Sequence, residues 1–155
     1  MGGGILIQRI RELIQLYFNP EKAVHHYLGI SANFTEPIFR GEPVGIKKLF
    51  YIIRPLLAGE WIVQFQKMPP TEFLRLLNET AIDAELRKHI DDLLVQKETA
   101  VEQAMIAIPA LIKDWIHSTG ERLRKECKQF PRYEKPGLEP LHDLFSEILG
   151  RWRRK

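Results

Sequence analysis

Among the residues whose types and spacing could do chemistry, Lys47, Tyr51 and Arg54 form the most suggestive set. They stand four and three positions apart in the segment Gly45-Ile46-Lys47-Lys48-Leu49-Phe50-Tyr51-Ile52-Ile53-Arg54-Pro55-Leu56-Leu57-Ala58. On a helix that spacing gathers them into one stripe about 60° wide. Two cations flanking a phenol could meet the charged oxygens of a nucleotide, Arg as a fork and Lys as a point charge. The same spacing also suits a solvated face with ordinary ion pairs. Phe50, Ile53 and Leu57 occupy the adjoining stripe and are suited to the core.

Other constellations lead less far. His25 and His26 are adjacent, so on a helix they point about 100° apart and cannot share one ion. His89 and Asp92 read as polar residues facing solvent, and no metal site is expected. Cys127 has cationic neighbours at Lys125 and Lys128, but spacing suggests no His–carboxylate partner, and a structural thiol is expected. The acids Asp91-Asp92 and Asp83-Ala84-Glu85 fall in helical pattern as cap or solvent residues. Two-metal phosphoryl transfer needs carboxylates converging on the ions, and no catalytic residue is assigned. No glycine-rich phosphate loop is present, because Gly2-Gly3-Gly4 lacks the following Lys-Ser/Thr. No Arg–His pair has the five-to-seven spacing of the helical RNases that accompany nucleotidyltransferases in toxin–antitoxin pairs.

The elements that must position these residues follow a helical period. Ile7, Ile10, Leu13, Ile14, Tyr17 and Phe18 make the first apolar stripe. Asn19-Pro20-Glu21 reads as a helix start, running to about Phe34 with Val24, Tyr27, Leu28 and Ala32 inward. A turn-rich connector follows from Thr35 to Pro43. The third helix spans about Gly45 to Phe65, with a kink expected at Pro55. Thr71 and Glu72 open a short helix through Leu77, and Asp83 caps another through about Lys97, carrying Leu86, Ile90, Leu93 and Leu94. A further helix is expected from Val101 to about Cys127, with Pro109 internal and Met105, Ile108, Leu111, Ile112 and Trp115 inward. A Pro-rich linker, Phe130 to Pro140, leads to a last helix over Leu141 to Trp152, where Leu144, Phe145, Ile148 and Leu149 are apolar. The expected class is all-α, an irregular bundle of about six helices with no sheet. The expected domains are 5–128, a helical domain, and 129–155, a linker with a basic C-terminal helix.

Composition agrees with a globular chain. Of 155 residues, 45% are hydrophobic and 28% charged, and no apolar run approaches a membrane span, so no membrane partner is expected. A single cysteine excludes intrachain disulfides and suits the reducing cytoplasm, the expected location. Charge is uneven: residues 1–119 carry 13 Lys/Arg against 14 Asp/Glu, and residues 120–155 carry 10 against 6, ending Arg151-Trp152-Arg153-Arg154-Lys155. A basic end of this kind can meet the phosphates of nucleic acid, although such tails are often only solvated.

The run Tyr17-Phe18-Asn19-Pro20-Glu21-Lys22-Ala23-Val24-His25-His26-Tyr27-Leu28, then Asn33-Phe34, Gly41-Glu42, Val44, Ile46-Lys47-Lys48 and Phe50-Tyr51, closes with Arg54-Pro55-Leu56-Leu57-Ala58 and Trp61-Ile62. It resembles the predicted nucleotidyltransferases related to the RNA-ligase-associated nucleotidyltransferases, of the DNA polymerase β-like superfamily. The match is dense from Tyr17 to Ile62 and weaker from Pro69 to Ile116; Leu49 departs from the family's frequent aromatic or polar residue. The resemblance implies a helical region following an α/β catalytic module, whose Gly-Ser motif and Asp-x-Asp pair hold two Mg²⁺ and a nucleoside triphosphate. Nothing like that module precedes Ile5, so a C-terminal helical half is expected, inactive alone and binding no cofactor by itself. Mg²⁺ and a nucleoside triphosphate are expected for a complete enzyme. The resemblance implies Lys47, Lys48, Tyr51 and Arg54 as nucleotide contacts. Partners implied are a nucleotide and a separate catalytic domain or a second copy. The alternative is a stand-alone helical protein-interaction module, for which an exposed apolar patch would speak.

Overall fold

The computed structural model describes residues 2–99 and 104–152. The basic end from Arg153 to Lys155 and the segment 100–103 therefore lie outside the described residues. Seven α-helices are present among the described residues: α1 Gly2–Tyr17, α2 Pro20–Phe39, α3 Ile46–Phe65, α4 Phe73–Glu79, α5 Ala84–Thr99, α6 Ala110–Glu126 and α7 Glu139–Trp152. The expected helical class holds at that level, with two corrections. There are seven helices rather than about six, and a short antiparallel ladder replaces the expected absence of sheet. In it β1, Val44–Gly45, pairs with β2, Met105–Ile106, Val44 opposite Ile106 and Gly45 opposite Met105. The ladder arises because both segments lead into helices and leave backbone groups that need partners. The Ile46 amide completes it by donating to the Ala104 carbonyl at 3.1 Å.

Several boundaries also move. The expected connector after Phe34 is helical through Phe39, with Pro37 inside α2. α2 ends when the Gly41 amide donates to Ile38 and the Glu42 amide to Pro37, both at 3.0 Å. That closure places Gly41 at φ +76°, the left-handed conformation that glycine adopts without strain. The helix expected from Val101 starts only at Ala110, because Pro109 has no amide hydrogen and biases Ile108 to extended backbone. Met105, expected inward, is on β2 and 61% exposed. Asp83 does cap α5: its Oδ1 accepts from the Glu85 amide at 2.8 Å and the Leu86 amide at 3.3 Å.

By internal contacts the chain divides into two units, Pro20–Phe130 and the pairing of its N-terminal 19 residues with the segment from Pro131 onward. In the larger unit α3 is central, packed on α2, α4, α5 and α6. Leu49, Ile52, Ile53, Leu56, Leu57 and Ile62 of α3 are almost wholly buried, as are Ile38, Leu76, Ile90, Ile112 and Leu123 around it. Each such side chain contributes on the order of 1.5–3 kcal/mol on leaving water. Gly59 lets α6 approach closely, since a Cβ there would lie 2.6 Å from Leu123 Cδ1. In the smaller unit α1 and α7 run antiparallel. Tyr17 bonds to the Gly137 carbonyl near one end, and Arg9 pairs with Glu147 further along. Among the described residues no helix is long and apolar enough to cross a membrane.

Candidate functional site

The face of α3 that the core does not use carries the candidate residues. Phe50, Ile53 and Leu57 are buried, which turns Lys47, Lys48, Tyr51 and Arg54 outward; all four are exposed, Tyr51 by 58%. The helix is held at both ends, at its start by a distant segment and at its end by local backbone geometry. The ladder holds the start of α3, with Gly45 extended at its N-cap. At the other end Gln66 takes the left-handed conformation and its amide donates back to Ile62 at 2.7 Å. The Met68-Pro69-Pro70-Thr71 segment then returns along the helix.

Between α2, α3 and that returning segment lies a groove of about 220 Å³, whose lining includes Tyr27, Ile30, Tyr51, Arg54, Pro69 and Thr71. Arg54 closes its rim by donating from Nη2 to the Thr71 carbonyl at 2.5 Å. Tyr51 stands beside Phe34, ring centroids 5.7 Å apart and tilted 39°. Pro55 removes the helical donor that would otherwise meet the Tyr51 carbonyl, and it too lines the groove. The result is an apolar slot with an aromatic wall and the Arg54 guanidinium at one edge. Such a slot can take a flat, apolar ring on its aromatic wall and anionic oxygens at its edge.

Lys97, which spacing within α3 could not reveal, belongs to the same neighbourhood. Its Nζ sits 4.8 Å from the centroid of Phe50, whose other neighbour is the edge-on ring of Phe73 at 5.5 Å. Only the packing of α5 on α3 brings this third lysine to the helix. Farther along α3, Trp61 donates from Nε1 to Glu79 at 3.2 Å, and Arg75 holds the same carboxylate at 2.7 Å. These two bonds, chiefly that of Arg75, lower the Glu79 pKa.

A second cavity of about 150 Å³ lies between α2, α3 and α6 and went unnoticed in the sequence, because its lining comes from three separated segments. Its polar members are the buried Ser31 together with Thr35, His117, Glu121 and Arg124. Arg124 is paired with Glu121 at 3.3 Å and His117 stands edge-on to Phe39 at 5.8 Å, so its edge is balanced in charge rather than cationic.

Spacing offered no partner for Cys127, yet the fold brings His25 to it, Nε2 to Sγ 3.8 Å. The thiol is fully buried and burial raises its pKa, with Glu21 adding to the rise. His25 Nε2 is also the atom nearest Glu21, at 4.0 Å. One nitrogen cannot both take the thiol proton and be oriented by the acid, so the trio lacks the geometry of a nucleophile relay. Glu60 is likewise raised, by desolvation between α3 and α6 that outweighs its pairing with Arg122. Among the described residues no group of three or more His, Cys, Asp or Glu side chains could hold a metal ion. The described acids therefore do not fit the two Mg²⁺ of the expected complete enzyme.

Comparison with known proteins adds identity to this geometry. The uncharacterized protein YcgL of Bacillus subtilis (strain 168) is 31% identical over 142 residues, which make up 92% of this chain and 55% of that protein. The chain thus spans little more than half the length of the curated relative it matches. No solved structure matches it. The model of the RNA repair pathway DNA polymerase beta family matches residues 5–147, from the first turns of α1 into α7. By that match, which takes in the α3 face and the groove beside it, the chain belongs to the RNA repair pathway DNA polymerase beta family.

Proposed function

We propose that this chain is the helical nucleotide- and acceptor-binding half of a polymerase β-like nucleotidyltransferase. The observation that carries the reading is the exposed stripe of Lys47, Tyr51 and Arg54, of which Tyr51 and Arg54 line an apolar groove of about 220 Å³. In this reading Arg54 and Lys47, with Lys48 beside them, meet the triphosphate, and Tyr51 offers its ring to the base. Family membership supports the reading, and the 55% coverage of the Bacillus relative supports a further portion that supplies the carboxylates and Mg²⁺ for transfer. This chain contributes binding and orientation, and shows no nucleotidyl transfer alone. Its basic C-terminus supplies a contact for a nucleic-acid acceptor, and the cytoplasm is the proposed location.

The test is a titration of the chain with each of the four ribonucleoside triphosphates, followed by amide chemical shifts. Saturable shifts centred on α3 and the Met68–Thr71 segment are expected. Shifts confined to the C-terminal basic residues, or none, would overturn the assignment of the α3 face. Turnover by the purified chain, abolished by EDTA, would overturn its role as a binding half.

A further inference from the structure

The α1–α7 pair exposes more apolar surface than its own packing requires. In α1 the half-buried residues Leu6, Leu13 and Tyr17 share one stripe, and Ile7, Ile10 and Ile14 form a second, exposed one. In α7 Leu144 and Ile148 are half-buried, and Leu141, Phe145, Leu149 and Trp152 are exposed. At 100° per residue each exposed stripe is turned from its half-buried neighbour in the same rotational sense, by about 75° in both α1 and α7. In an antiparallel pair, equal senses of rotation lead to the same side. The seven side chains therefore make one continuous face. The opposite side is mixed: its groove is lined by Arg9, Glu12, Glu139 and Asp143 together with Leu13, Leu16 and Pro140, and Ile5 and Leu16 are exposed there.

The exposed face amounts to roughly 700 Å² of apolar side chain, more than the few hundred Å² usual for a monomer's patches. It approaches what one partner contributes to a standard protein interface. Its most exposed members, Trp152 at 79% and Phe145 at 63%, are of the aromatic type that anchors such interfaces.

We infer that this face docks the portion of the longer family chains that the present chain does not match. This deepens the proposed function and rests on its reading of the chain as one half. Two observations favour that occupant. The Bacillus relative extends beyond the match by the remaining 45% of its length, on the order of a hundred residues and so the size of a small domain. The family match also runs from residue 5 to residue 147, so the α1 residues of the face, with Leu141 and Phe145 of α7, belong to the region shared with the family, and Leu149 and Trp152 lie past it. A lipid surface fits less well. Interfacial helices carry Lys and Arg on the polar side, whereas the described residues of α7 carry three acids, Glu139, Asp143 and Glu147, against Arg151.

The test co-expresses this chain, tagged, with the unmatched portion of the Bacillus relative. A 1:1 complex by light scattering is expected, lost at least ten-fold in the Ile10→Glu and Phe145→Glu variants and kept in Lys47→Ala. In the intact Bacillus protein, glutamate at the positions aligned with Ile10 and Phe145 should speed limited proteolysis between the two portions at least ten-fold. Absence of the complex together with unchanged proteolysis would overturn the proposal. A homodimer dispersed by the same substitutions would instead assign the face to a second copy, and binding to anionic phosphatidylserine vesicles to a lipid surface; either overturns it. Triphosphate titration of the same variants separates this outcome from the α3 reading, since Ile10→Glu and Phe145→Glu should leave nucleotide shifts on α3 in place.

Discussion

Arg54 donates to the Thr71 carbonyl at 2.5 Å, joining the middle of α3 to the proline segment that returns along it. The bond uses part of a five-donor fork, and among the described residues no carboxylate pairs with this guanidinium. Arg54 therefore shapes the groove rim with part of its fork.

Replacing Arg54 or Lys47 with Ala should weaken triphosphate binding by about 1.5–3 kcal/mol each, roughly ten- to a hundred-fold, the scale of hydrogen bonds to charged groups. Arg54→Lys should recover only part of this, because the ammonium keeps the charge and loses the fork. Lys47→Ala should leave the thermal melt nearly unchanged, whereas Arg54→Ala should cost about 0.5–1.5 kcal/mol through the lost Thr71 bond. Equal binding by the variants and the parent would make the stripe structural.

Two glycines should respond oppositely to alanine. Gly29 on α2 has nothing within 4 Å of an added Cβ, so Gly29→Ala should raise stability by about 0.5–1 kcal/mol through helix propensity. At Gly59 the added methyl meets the fully buried Leu123, and overpacking of about 1–3 kcal/mol should outweigh that gain. Urea melts of both variants check the pair; a stabilised Gly59→Ala would show that Leu123 yields easily.

The two perturbed carboxylates should give opposite pH dependence. Glu60 has a raised folded pKa, from desolvation against the opposing pull of Arg122. Its contribution to stability is full below the unfolded pKa and is lost as pH rises through the folded value. Glu60→Gln should therefore match or exceed the parent at neutral pH and lose that standing on acidification, Arg122 retaining Glu126 at 2.9 Å. Glu79 has a lowered pKa, first from Arg75 and then from Trp61. Its contribution is present above the unfolded pKa and is lost as pH falls through the folded one. Glu79→Gln should be the less stable at neutral pH and converge with its parent in acid. Thermal melts across that range read both signs.

Cys127 should behave as a core thiol. Burial raises its pKa and no accessible surface remains, so an aromatic disulfide reagent should label it only as fast as the protein opens. Labelling at the rate of a free thiol in native buffer would contradict this burial.

Local sequence determined most of the helical architecture. The 3.6-residue periods of α2, α3 and α5, the Asp83 cap and the division of α3 into a buried stripe and an exposed cationic one all depend on residues within a turn or two of each other. The same local run carried the family resemblance.

The tertiary structure decided what depends on distant segments. The ladder of Val44–Gly45 with Met105–Ile106 joins strands of two residues each, too short to leave an alternating pattern. Ala110 became the start of α6 because Pro109 acts as a boundary at a helix start and as a kink inside one, and periodicity does not separate these cases. Lys97 over Phe50, His25 against Cys127 and the proline wall of the groove each join residues distant in sequence. Likewise, Ile7, Ile10 and Ile14 read as ordinary core positions, because an apolar stripe states that a face must be covered and only packing reveals whether the chain itself covers it.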